Sequence, residues 1–281
     1  MSDHFRLELP AVVSFSGGRT SGYLLRHILD AHGGQPPGLK VGFQNTGLEA
    51  EETLAFVQEC SERWRCEITW TEYTVNADNK PDFEVVSFET ASRKGEPFNR
   101  LIAKKQYLPN PVARLCSEQL KVRTMKRWLK TVPGFEDGYT NAVGLRADEP
   151  HRAVRVLADE QRDMACPLYR AGVTNDDVLD FWSTNDFDLN LPTSGIRSNC
   201  QGCFLKSRSK LEVLMKESPE HFAWWVEAEN TPLTSAPEGG RFWRGDRRPS
   251  YAKMMEAVRR QGWLQFEGDT DEASIPCMCH D

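Results

Sequence analysis

The sequence predicts an α/β fold, a doubly wound and mainly parallel sheet of five strands flanked by helices, and three observations predict it. Short apolar runs at "AVVSF", "KVGF" and "EITWTEYTV" alternate with segments whose apolar residues recur at helical spacing. The first run passes through Ser16, Gly17 and Gly18 straight into a helix-like stretch. The 281 residues suffice for a full hydrophobic core, and 39% apolar with 27% charged residues is the balance of a globular chain.

Residues 11–15 read as a short buried strand, and Leu24, Leu25, Ile28 and Leu29 make one face of the helix that follows. Beyond the "HGGQPPG" turn the second strand ends at Asn45, Thr46 and Gly47. Thr46 and Glu49 have the spacing of a capping box for a helix carrying Leu54, Val57 and Trp64. "EITWTEYTV" alternates as a third strand, and Pro81 to Thr131 reads as mostly helical. "YTNAVGL" is a further strand, and Thr174 with Asp177 opens a helix through Val178 and Trp182. From about Leu191 onward no strand periodicity is visible, so an α/β domain over 1–190 and a mostly helical extension over 191–281, packed on it, are expected.

The net charge of -6 excludes a uniformly basic surface, yet Arg93 to Lys130 holds eleven Lys or Arg against Glu96 and Glu118. That tract is either a solvated helix face or a region built for an anion. No run approaches the ~18 apolar residues of a membrane span, and "MSDHFRLELP" lacks a signal peptide's apolar stretch. A cytoplasmic protein without membrane contact is expected; its oligomeric state is not legible.

In an α/β sheet ligands sit outside the carboxyl ends of strands, where Ser14, Ser16, Gly17, Gly18, Arg19, Thr20 and Ser21 fall. Glycines let the backbone turn sharply, the helix offers unpaired N–H groups, and hydroxyls add donors, which together suit phosphate. An ordinary strand-to-helix turn is the plain alternative. The loop matches neither G-x-x-x-x-G-K-[ST] nor G-x-G-x-x-G.

Eight cysteines in a chain of this size without an export signal point to metal or sulfur chemistry rather than a disulfide framework. Cys200 and Cys203 have Cys-x-x-Cys spacing, which serves zinc and iron–sulfur centres alike. Cys60, Cys66 and Cys166 read as core thiols. Arg241, Arg244, Arg247 and Arg248 around Trp243 are either a nucleic-acid contact, by stacking on bases, or part of the core.

The loop "SFSGGRTS" resembles the PP-loop of the adenine nucleotide alpha hydrolase-like superfamily, and further segments resemble its phosphoadenosine phosphosulfate (PAPS) reductase-like branch. "FQNTGLEAEETLAFV" is similar to that branch's nucleotide-facing second strand, "RLCSEQLKVRTMKRWL" to its Cys-x-x-x-Leu-Lys helix, and "VGLRADEPHRA" to its substrate loop. With "NCQGCFLK" these segments run in order over roughly residues 12 to 206. The resemblance implies phosphates held by the loop 16–21, Asn45, Thr46 and Gly47 near the nucleoside, and Lys121, Arg146 and Arg152 neutralising the reacting anion. It also implies a [4Fe–4S] cluster on Cys116, Cys200 and Cys203, with Cys277 or Cys279 as fourth ligand and Cys279 alternatively as a nucleophile; zinc is the competing metal. Leu115 stands where the family has a further cysteine. Thr20 stands where the loop usually carries Asp, so a hydroxyl that can bond phosphate replaces a carboxylate that could serve a magnesium shell.

Three functions follow from the resemblance. The first is an ATP pyrophosphatase-type, adenylating sulfurtransferase with a sulfur donor and an acceptor that nucleic acid would supply. The second is a PAPS or APS reductase that releases sulfite and relies on a thioredoxin-like reductant. A nucleotide- or nucleic-acid-binding module with structural zinc is the third.

Overall fold

A computed structural model describes residues 4–158, 163–197, 199–243 and 248–261. Ala11–Phe15 (β1) is a strand whose alternate residues enter opposite cores, Val13 and Phe15 on one side and Val12 on the other. It feeds Arg19–His32 (α1), which ends where Gly33 takes the left-handed conformation. Leu39–Asn45 (β2), Glu51–Trp64 (α2) and Ile68–Val75 (β3) repeat the unit, and β1, β2 and β3 pair in parallel.

Pro81–Val86 (β4) returns antiparallel to β3, and beyond Glu96–Lys105 (α3) the chain forms a π-helix over Cys116–Arg123 that runs into Thr124–Leu129 (α4). Thr140–Ala142 (β5) pairs with the free side of β1. After Pro150–Leu157 (α5), Met164–Ala165 (β6) pairs with β5, followed by Pro167–Arg170 (α6) and Asn175–Ser183 (α7). The sheet thus has six strands in the order β4-β3-β2-β1-β5-β6, where five were expected. The segment 81–86 is strand, not helix, because it pairs along the sheet's edge, where Asp82 and Glu84 stay partly in solvent.

Residues from α1, α2 and α7 fill the core on one face of the sheet, and Met125, Trp128 and Leu129 of α4 pack on the other with Val12. Doubly wound architecture follows from that two-sided burial. From Phe204 onward a separate apolar cluster joins Arg208–Glu217 (α8), a 3₁₀ turn at Pro219–Phe222, Ala223–Asn230 (α9) and Tyr251–Gln261 (α10). Among the described residues no helix is long and apolar enough to cross a membrane.

Glu72 on β3 is 1% exposed and accepts from Asn45 Nδ2 (2.6 Å), Ser92 N (2.7 Å) and Ser92 Oγ (2.6 Å). Burial raises its pKa above the usual 4.5, with these hydrogen bonds opposing the rise. A carboxyl that binds its proton more tightly folded than unfolded makes the fold lose stability as pH rises through the window just above 4.5. Glu72→Gln is therefore expected to flatten the stability–pH profile in that window, measured by urea unfolding between pH 4 and 7; an unchanged slope would contradict the assignment.

Candidate phosphate loop and thiol cavity

Because β1, β2, β3, β5 and β6 are parallel, the loops after them lie along one edge of the sheet. The chain winds from β1 outward to β2 and β3 on one side and to β5 and β6 on the other, so β1 and β5 flank the switch point at which such sheets bind ligands. The loop 16–18 leaves β1 there. Gly17 has φ +81, and a Cβ on it would meet Thr53 Cγ2 at 2.7 Å, so packing against α2 alone demands glycine. Ser16 Oγ donates to Ser21 Oγ (3.0 Å), which accepts from Gly18 N (3.1 Å) and donates to Gly18 O (2.8 Å). These bonds fix the loop at the head of α1, whose first amides have no partner within the helix.

Arg146, carried by the loop after β5, is 8% exposed and donates from Nη1 to Thr20 Oγ1 (3.0 Å) while its Nε binds Asp148 (3.0 Å). The loop after β5 thus touches the loop after β1, with Thr20 as the contact. Arg152 pairs with Glu149, which also lies 3.7 Å from Arg146. Other expected residues are engaged in the fold. Arg19 is directed to Asp188 (2.6 and 2.7 Å) and Leu191 O (2.6 Å), Ser14 donates to Asn141 Oδ1 (2.7 Å), and Asn45 spends its amide on Glu72 and on Ser92 O (2.9 Å). Gly47, at φ +80, accepts Gly95 N at 2.9 Å.

Cys116, Cys200 and Cys203 line one cavity together with Thr46, Ser117 and Lys121. Phe98, Phe204 and Trp225 supply its apolar wall. Cys277 and Cys279 lie outside the described residues. The Cys200 thiol is pushed well above its ordinary range by its hydrogen bond with Cys203, then by burial and by Glu49, while Lys121 pulls it down. In kind, three thiols in an apolar-walled cavity fit a thiophilic metal. Among the described residues, however, no three His, Cys, Asp or Glu side chains are grouped to hold a metal ion.

Two residues beside the cavity hold its segments in place, Glu49, which the sequence offered only as a helix cap, and Asn199, which it did not single out. Glu49, its side chain 1% exposed, accepts from Thr46 N (2.9 Å), Thr46 Oγ1 (2.8 Å) and Leu48 N (3.2 Å) and lies 3.7 Å from Lys121 Nζ. Residues 48–50 are extended because Ala50 N donates to Asn199 O (2.8 Å) and Gln201 N to Leu48 O (3.1 Å). That bridge delays α2 to Glu51, so Thr46 and Glu49 make a turn ahead of the helix rather than its capping box. Asn199, 1% exposed, donates from Nδ2 to Ser16 O (2.9 Å) and so ties the thiol segment to the loop 16–18.

The π-helix places Cys116 and Lys121 five residues apart on one cavity. In an α-helix they would be about 140° apart around the axis, whereas an i→i+5 turn brings them to one face. Deletion of Glu118, about half exposed, shortens the spacing to four, which an ordinary α-helix also keeps on one face. The deletion is expected to change stability by no more than about 1 kcal/mol and to leave Cys116 alkylation within about twofold; a much larger change in either would refute this account of the π-turn.

The carbonyls of the Cys200–Lys206 segment are held from the helical region. Trp225 Nε1 donates to Gln201 O (3.0 Å), Tyr251 Oη to Gly202 O (2.6 Å), and Trp243 Nε1 (2.6 Å) and Arg248 Nη1 (2.7 Å) to Phe204 O. Arg248 Nη2 also binds Lys206 O (2.8 Å), and its guanidinium lies 4.1 Å from the Trp243 ring centroid. Trp243 and Arg248 thus belong to the clamp on the cysteine turn rather than to a base-stacking surface, while Arg244 and Arg247 lie outside the described residues. The basic tract is likewise partly neutralised in space. Arg93 pairs with Glu51, Arg100 with Glu84, Lys121 with Glu49 and Arg123 with Glu118.

No protein-family model matches the chain. It is 29% identical over 216 residues to the "Uncharacterized nin region protein ORF290" of Escherichia phage lambda, across 73% of this chain and 69% of that protein. Among solved structures it is similar to the U34-tRNA thiolase NcsA from Methanococcus maripaludis with its [4Fe-4S] cluster, at 15% identity and a TM-score of 0.43, covering 99% of this chain and 81% of that one.

Proposed function

We propose that the chain is a nucleotide-binding enzyme of sulfur chemistry, an adenylating sulfurtransferase of the PP-loop kind. The observation that carries this reading is the Asn199 bond to Ser16 O, which joins the loop at the switch point to the segment bearing Cys200. In this reading the α1 amides, Ser16, Ser21 and Thr20 hold the pyrophosphate end of ATP, with Arg146 neutralising charge beside them. An acceptor oxygen attacks the α-phosphorus, the bond to the β-phosphate oxygen breaks, and pyrophosphate leaves. A sulfur nucleophile then forms a bond to the activated carbon as AMP departs with that oxygen.

Cys116, Cys200 and Cys203 would hold a metal centre, which when bound supplies a site for sulfur ligation. Lys121 offsets thiolate charge there, and Phe98, Phe204 and Trp225 exclude water. A sulfonucleotide would instead be attacked at sulfur by a thiolate, the nucleotide leaving with the bridging oxygen, and a second thiol would release sulfite as the two thiols become a disulfide. Incubation with ATP and total RNA as the acceptor pool, or with PAPS and a dithiol reductant, following pyrophosphate and sulfite, tests the reading. Pyrophosphate released from ATP and abolished by Arg146→Gln is expected. Sulfite from PAPS would replace this reading with reduction, and binding without turnover of either would replace it with a binding module.

A further inference from the structure

Asn199 stands between the loop that leaves β1 and the turn that carries Cys200 and Cys203. It is 1% exposed, and its amide has a defined orientation: Thr53 Oγ1 donates to Oδ1 in a long bond of 3.5 Å, which leaves Nδ2 to donate to Ser16 O at 2.9 Å. The Asn199 backbone carbonyl accepts Ala50 N at 2.8 Å, and Gln201 N donates to Leu48 O at 3.1 Å. Residues 199–201 are therefore strapped to 48–50 on both sides of the buried Cys200, so Asn199 does not move without it.

The bond to Ser16 O also decides where the next amide points. The Ser16–Gly17 peptide is trans, and the C=O and N–H of a trans peptide point in opposite directions. With Ser16 O turned toward Asn199, Gly17 N–H is turned away from the cysteine segment. Gly18 N is spent on Ser21 Oγ at 3.1 Å, whereas Gly17 N has no hydrogen-bond partner among the described residues, although Gly17 is buried. A buried amide without a partner is rare in a folded chain, and here it is a donor left for an anion held by the loop.

We propose that Asn199 is a positioning residue that couples the two sites: it aims Gly17 N–H at the bound anion, so a ligand of the loop holds the Cys200 segment closed, and opening of that segment weakens the loop's grip. The inference rests on the reading of the loop as a nucleotide site and on no metal. Coupling of this kind is reciprocal, each site changing the other by the same factor. Local opening of 199–201 breaks the bonds named above, and a ligand that favours the closed form suppresses it by mass action.

Hydrogen exchange of the full chain, read by mass spectrometry over peptides covering 48–54 and 199–206, is compared with and without saturating ATP, beside a calorimetric ATP titration. In wild type, ATP is expected to slow exchange of both peptides about tenfold, the worth of one hydrogen bond to a charged group. Asn199→Ala should weaken ATP binding by a similar factor, and at ATP concentrations that saturate the variant the slowing should vanish. Asn199→Asp keeps the size and the Oδ1 acceptor but loses the donor, and should behave as Asn199→Ala does. ATP that binds wild type without slowing either peptide overturns the coupling and leaves the loop reading standing, and so does slowing that persists in a folded, saturated variant. Absence of ATP binding to wild type overturns both. Circular dichroism establishes that each variant is folded, and the wild-type comparison decides the matter without any variant.

Discussion

Gly202→Ala is expected to destabilise the protein by about 2–5 kcal/mol, combining the left-handed conformation with overpacking. Gly202 has φ +68, and a Cβ there would stand 2.4 Å from Trp225 Nε1 and 2.8 Å from its Cδ1. The indole cannot yield. It is 1% exposed, stacks on Tyr251 with ring centroids 5.4 Å apart, meets Phe242 edge-on at 4.9 Å, and donates to Gln201 O. The turn would have to move instead, carrying Cys200 and Cys203 with it. Gly134→Ala isolates the backbone part of the effect, because Gly134 has φ +83 with nothing within 4 Å of an added Cβ, and should cost about 1–2 kcal/mol. Guanidinium unfolding of both variants makes the comparison; equal losses would show that Trp225 does not set the turn.

The parallel strands β1, β2, β3 and β5 were legible because their apolar runs are local, whereas β6, two residues long, was not. The helix opening at Thr174 was legible too, since Thr174 Oγ1 and the Asp177 carboxylate do form the reciprocal cap. β4 was not, because an edge strand carrying Asp82 and Glu84 has no apolar run to announce it, and its pairing with β3 is a tertiary fact. The π-register of 116–123 was equally hidden. Composition does not separate an i→i+5 from an i→i+4 turn, and the choice follows from fitting Cys116 and Lys121 to one cavity while Thr124 Oγ1 bonds Gln119 O (2.8 Å). At the site, cysteine type and spacing singled out Cys200 and Cys203. Asn199 and Glu49 carry no such signal, since a buried amide and a buried carboxylate acquire their roles only when residues 48–50 and 199–201 meet. The same reason hid the clamp of Trp243 and Arg248, for which the sequence left a nucleic-acid contact and a place in the core both open, their partners being carbonyls far along the chain.

Cys200→Ser is expected to abolish bound iron in protein purified without oxygen, whereas Cys60→Ala should retain it. The contrast rests on where the thiols sit. Cys60 is fully buried in the main core among α2 and its neighbours, and burial pushes its pKa far up; Cys66 and Cys166 are likewise raised to about 11, so all three behave as small apolar side chains. Cys200 is buried too and its pKa is likewise pushed well above the ordinary range, by the hydrogen bond with Cys203 and by burial, but Lys121 opposes the rise and Cys116 lies on the same cavity. In the proposed centre a metal would stabilise the Cys200 thiolate in a way a serine hydroxyl cannot reproduce, because the soft sulfur would be the ligand. Cys60→Ala should instead cost about 1 kcal/mol of stability through lost packing, with iron per folded chain unchanged. Iron and acid-labile sulfide assays with a visible spectrum read both variants. Iron and sulfide retained in Cys200→Ser at the wild-type ratio would remove Cys200 from the ligand set, and zinc without sulfide in wild type would make the three-thiol cavity a structural centre rather than a reactive one.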